Sequence, residues 1–202
     1  MKKTSILTAV LLALVITPAF AVDELAVWAG GGTDVSTNLC YSVVSANSKN
    51  QGSPVLTYLN ATSDKAGSVV QFYTAGQPVV ANDTNTTVTI PVNVANSSNY
   101  FNADGGIIVI QHKATDTYER RVLTTFTGTT NIVVTVAPTT TVAIGDIIWP
   151  MTAAGSIPVG NATLTLGPGD GIYCGQKMKP LLMEIDGTSA CQINAAAAKF
   201  VP

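Results

Sequence analysis

The sequence predicts an all-β protein: an antiparallel β-sandwich or barrel-like domain, with or without a small C-terminal β subdomain. Three observations predict it. Short runs rich in β-branched and aromatic residues recur along the chain, each bounded by Gly, Pro, Asn, Asp or Ser. Helical periodicity is nearly absent after the first 21 residues. Hydrophobic residues make up 47% of the chain and charged ones only 11%, against about 25% charged in ordinary globular domains. There is apolar surface to bury, and Thr, Asn, Ser and Gly do the solvating.

The chain opens on a segment expected to be absent from the working protein. Lys2 and Lys3 give a positive start, residues 6–16 are an almost unbroken apolar run, and Pro18 with Ala19-Phe20-Ala21 forms a small-x-small cleavage pattern. The run is shorter than the roughly 20 residues a spanning helix needs. Residues 1–21 therefore read as a secretory signal peptide. The protein is expected in the periplasm, at the cell surface or outside the cell, with no stable membrane span after processing. Removing 21 of 202 residues leaves 181, with eight basic against twelve acidic side chains and a net charge of −4. So few basic residues supply no patch for phosphates, which excludes nucleic acid as a partner.

Residues 22–38 read as a polar N-terminal arm. Strands are then expected at 39–46, 55–59, 69–74, 86–94, 107–112, 118–126 and 131–137, forming a main β domain over 39–137. In 86–94 the even positions Val88, Ile90, Val92 and Val94 are apolar. Pro91 falls on the outward set and lacks an N–H, which predicts an edge strand. Residues 107–110 are continuously apolar, so 107–112, 118–126 and 131–137 read as a three-stranded meander. Pro138 and the threonines 139–141 mark a seam. Beyond it, 138–202 carries strand signals at 146–149, 162–166, 172–174 and 181–185, either in the same sandwich or in a small second subdomain. Residues 194–199, with four alanines, are the one helix candidate of any length.

Three cysteines remain after processing: Cys40, Cys174 and Cys191. An exported chain meets an oxidising compartment, so one disulfide is expected. Cys174 and Cys191 lie only 17 positions apart and flank a strand, which makes Cys174–Cys191 the favoured pair and leaves Cys40 over.

Catalytic signals are weak. His112 is the one histidine, placed at a strand end, and no Gly-x-Ser-x-Gly elbow accompanies it. Zinc has no Cys-x-x-Cys or His-x-x-x-His pair. Asp104, Asp116, Asp170 and Asp186 read as turn residues rather than a calcium loop. Glu119 and Glu184 are the only glutamates in predicted strands, expected to point outward; a hydrolase would need both in one cleft. No catalytic residue, metal site or cofactor is assigned. Trp149, beside Pro150, and Trp28 are the large aromatic platforms on which a sugar ring would lie.

The layout resembles bacterial pilin subunits, adhesin modules and virion coat or fibre proteins in general character, and that resemblance implies no site residues. The leading expectation is an exported, non-catalytic surface or assembly protein of structural or adhesion type. It would associate with itself or with other surface proteins, the 22–38 arm adding to a neighbour's sheet edge. The alternative is a glycan-binding module using exposed tryptophan, and a glycoside hydrolase-like enzyme comes third.

Overall fold

The computed structural model describes residues 28–34, 39–45, 55–93, 101, 105–127, 129–159, 163–166, 171–173 and 179–198. The signal segment 1–21, Cys174, Asp104 and Asp170 lie outside the described residues. Those residues form fourteen strands and no helix: β1 Trp28–Asp34, β2 Leu39–Ser45, β3 Val55–Ser63, β4 Val69–Ala75, β5 Val79–Val80, β6 Thr89–Pro91, β7 Ile107–His112, β8 Thr117–Thr127, β9 Asn131–Val134, β10 Ile147–Pro158, β11 Thr163–Leu166, β12 Ile172–Tyr173, β13 Pro180–Asp186 and β14 Cys191–Ala198. The protein is all-β, built from antiparallel sheets in a sandwich-like arrangement.

The larger sheet has ten strands in the order β1-β2-β13-β4-β10-β7-β8-β9-β6, with β5 also on β10. The smaller one is centred on β3. β11 and β12 occupy different stretches of one edge of β3, and β14 runs along the other. Strands from 138–202 are interleaved with earlier ones: β10 lies between β4 and β7, and β13 between β2 and β4.

The meander is present as β7-β8-β9. Its first turn passes through Asp116, which adopts a left-handed φ of 51°, a conformation that a short polar side chain tolerates. β6 ends the run of named strands in the large sheet. On its outer side Val92 is bridged to Ala81, with the Asn82 N–H donating to the Pro91 carbonyl at 3.1 Å, and Ile90 and Val92 point into the core. Two segments take a form that the sequence left open. Residues 28–34 of the arm pair with β2 of their own chain. Residues 194–198, whose four alanines are too few to hold a helix alone, are strand: β14 pairs with β3 along its length, with a register shift between Ala196 and Ala197. In water the available ladder wins.

Strand alternation sorts the side chains into three buried clusters. One lies between the sheets, where Phe72, Leu181 and Met183 meet Leu56, Leu59 and Ile193. A second lies under β7, β8 and β9 around Ile108, Ile110, Leu123 and Ile132. The third occupies the opposite face of the large sheet and gathers Tyr41, Val43, Val109, Trp149, Met151 and Leu182. β1 pairs with β2 and also comes against β8, so the path from β1 to β8 curls around this third cluster. Strands such as β13, buried on both faces, therefore read as continuous apolar runs.

The disulfide joins Cys40 of β2 to Cys191 of β14, with 5.8 Å between their Cα atoms. It replaces the expected Cys174–Cys191 pair. Chain proximity favoured Cys174, but the packing of β2 over β14 brings the distant Cys40 within reach.

Candidate functional site

The polar chemistry of this molecule concentrates in β8, where Glu119, Arg120 and Arg121 follow one another and all three are buried. Successive side chains of a strand point to opposite faces. Glu119 and Arg121 therefore turn into the second cluster and Arg120 into the third.

On the first of these faces Glu119 is an acceptor hub. One carboxylate oxygen takes an Nη2–H of Arg121, the backbone N–H of Thr139 at 2.5 Å and the Thr139 hydroxyl at 2.8 Å. The other oxygen lies 3.3 Å from His112 Nε2. His112 Nδ1 lies 2.9 Å from Asp146, which also accepts the backbone N–H groups of Lys113 and Ala143. Gly145, with φ of 93°, makes the turn that aims Asp146 at the ring. Arg121 further donates to the carbonyls of Ala137 and Arg120. His112 is thus a buried, 3% exposed member of an Asp–His–Glu–Arg chain, not a strand-end residue in solvent. The chain of contacts ties the seam at 137–140 and the 143–146 turn to the meander.

On the other face Arg120 Nε donates to Glu184 of β13 at 2.5 Å, with both side chains about 95% buried. Tyr73 of β4 shares a wall with Glu184; burial, followed by the Glu184 carboxylate, raises the phenol above its ordinary value. These groups form the wall of a cavity of about 410 Å3, with Gln71 and Asp186 also in its lining. Asp186 is paired outside with Lys65.

Glu119 and Glu184 are therefore not exposed, and they face opposite sides of the large sheet. They cannot act as a carboxylate pair across one bond. Trp149 is 7% exposed, packs in the third cluster and donates its indole N–H to Gln111 at 3.2 Å. It offers no open platform for a sugar, which corrects the expectation of an exposed Trp149. Trp28 lies in β1 beside Val44. Cys191 is engaged with Cys40. Asp116 is an exposed turn residue. Among the described residues, no group of three or more His, Cys, Asp or Glu side chains is disposed to hold a metal ion, and no helix is long and apolar enough to cross a membrane.

Sequence reasoning missed Gln71, Tyr73, Arg120 and Asp146. One signal was there to be read: three consecutive charges inside a strand pattern, in a chain with so few charges, are more than surface decoration. Their partners are fixed by sheet order and were not readable. No family model, curated protein or solved structure matches the chain.

Proposed function

We propose that this chain is an exported, non-catalytic structural protein that assembles with copies of itself through the outer edge of β14. The observation that carries this reading is the character of that edge. Among the described residues β14 pairs only with β3, and its eight residues, Cys-Gln-Ile-Asn-Ala-Ala-Ala-Ala, contain no charge and no proline. Natural sheet edges are usually guarded by Lys, Pro, a bulge or a covering segment, because unpaired N–H and C=O groups template a further strand. β14 has one register shift, between Ala196 and Ala197, and Cys191–Ala196 keep a regular ladder with β3. Here the outward positions Gln192 and Asn194 are exposed amides. Two copies meeting edge to edge about a two-fold axis would place like strands antiparallel, without charge repulsion. The alternating buried positions, Ile193 and Ala195, anchor β14 to the inter-sheet core, which fixes the face that Gln192 and Asn194 present.

The test is the native mass of the protein beginning at Val22, by sedimentation velocity. A dimer or larger assembly is expected. The Gln192→Lys/Asn194→Lys variant, which sets two like charges on each facing edge, is expected to sediment as a monomer with its strand circular dichroism unchanged. A monomeric parent protein, or a variant that keeps the parent's mass, overturns the proposal.

A further inference from the structure

We infer that the open cavity at the mouth of the curled part of the large sheet is a binding site for a small, neutral, polyhydroxylated ligand of the size of one sugar ring. The site is independent of the β14 edge.

The first ground is the position of the cavity. It opens at one end of the third cluster, where the inward-facing side chains change from apolar to polar. Leu182 lies in the ladder opposite Tyr73, and Glu184 opposite Gln71. The fully buried Val43 and Leu182 fill the interior on one side. The space left at the other is about 410 Å3, within the roughly 300–1,000 Å3 of small-molecule pockets, which favour the mouths of barrels.

The second ground is the cost of the groups that line it. Burying an arginine and a glutamate is expensive, and a well-packed apolar pair of similar volume is often as stable or more so. A chain with only 11% charged residues nevertheless places such a pair here, on the wall of a space and not in solid core. Tyr73 lines the same wall and stands on the β4–β13 ladder opposite Leu182, two positions from Glu184. The Arg120–Glu184 bond holds its part of the polar wall in place before any ligand arrives, and such preorganisation reduces the ordering cost of binding.

The third ground selects the ligand. The lining itself holds one cation and two anions, and the charges balance only with Lys65, which lies outside the lining: Arg120 is paired with Glu184, and Asp186 with the exposed Lys65. With Lys65 counted, the site has no excess charge to reward an anion or a cation. It presents the Gln71 amide, the Tyr73 phenol and the Asp186 carboxylate, a mixture of donors and acceptors. Beside them, Val69 and Ile107 supply an apolar wall. A sugar ring matches both halves, with hydroxyls at its rim and C–H groups on its faces.

The experiment uses the protein from Val22 onward and ligand-observed saturation-transfer NMR. Glucose, galactose, mannose and N-acetylglucosamine are tested singly, beside acetate and methylammonium as charged probes. At least one sugar is expected to bind with a millimolar or lower Kd. Gln71→Leu is expected to weaken it by about tenfold, the value of one hydrogen bond. Tyr73→Phe, which keeps the ring and removes only the hydroxyl, is expected to do the same and decides the matter if Gln71→Leu fails to fold. Silence from all four sugars overturns the inference. So does sugar binding that survives in the folded variants, or either charged probe binding more tightly than every sugar.

Discussion

Among the described residues every buried charge sits opposite a partner, and the energetics of that arrangement are asymmetric. The Arg120–Glu184 pair adds little to stability as a pair, because desolvating both ions offsets most of their attraction. Removing one member is different, since it strands the other in the interior. Arg120→Met is therefore expected to lower the unfolding free energy by about 3–5 kcal/mol. The double replacement Arg120→Met/Glu184→Leu is expected to recover most of that loss. Urea denaturation of the two variants checks the prediction, and a double variant no more stable than the single one contradicts it. The same logic explains why three charges in β8 misled a reading of the sequence. Adjacent residues in a strand face opposite sides, so Glu119 and Arg120 joined two separate networks. Arg120 meets Glu184 across the interior although β8 and β13 have three strands between them in the sheet, a relation no local pattern encodes. Among the described residues Ser42 is the exception for buried polar side chains, its hydroxyl having no hydrogen-bond partner.

At the scale of elements, legibility followed side-chain chemistry. β7, β8 and β9 were readable because β-branched residues and a polar turn state the pattern twice, and β6 because the even positions around it are apolar. β1 is half glycine and alanine, and β14 half alanine. Neither residue favours extended backbone, and their strands exist because β2 and β3 offer ladders. β10 runs on past Trp149 through Pro150, an apparent stop, and absorbs a register shift between Ala153 and Gly155. The turn from β13 to β14 is held by one side chain. Asp64 accepts the backbone N–H groups of Thr188, Ser189 and Ala190 at 2.6, 2.8 and 3.1 Å, and both hydroxyls. Its pKa is held well below the ordinary carboxylate range, first by the Thr188 and Ser189 hydroxyls and then by the Thr188 backbone amide. A depressed folded-state pKa stabilises fully above the unfolded value, about 4 for Asp, and the effect is lost as pH falls through the folded one. The 188–190 amides are accordingly expected to stay protected from hydrogen exchange at neutral pH and to lose protection in strong acid. Asp64→Asn should expose them at neutral pH as well. Equal protection in the parent and the variant would rule this role out.

At the scale of the whole molecule, the Cys40–Cys191 bond decides how the two sheets depend on each other. It spans 151 positions and connects β2 of the large sheet to β14 of the small one, across the cluster that both sheets share. A bond between Cys174 and Cys191 would have closed a loop of 17 positions within the C-terminal region, worth about 3 kcal/mol in the chain-entropy model. The longer loop raises that value to about 5 kcal/mol, while the range found for native disulfides is roughly 2–5. More telling than the magnitude is what is coupled. Because β10 and β13 are threaded between earlier strands, neither half of the chain completes the large sheet alone, and the small sheet buries its apolar face against β2, β4, β13 and the end of β10. Cys40→Ser/Cys191→Ser is therefore expected to shift tryptophan fluorescence, which reads the interior around Trp149, and far-ultraviolet circular dichroism together to lower urea, in one transition. Peptide mapping of the unreduced parent protein should recover Cys40 linked to Cys191. A Cys174–Cys191 peptide would refute the connectivity. Two separated transitions in the variant would show instead that the sheets fold independently and that the staple only tethers them.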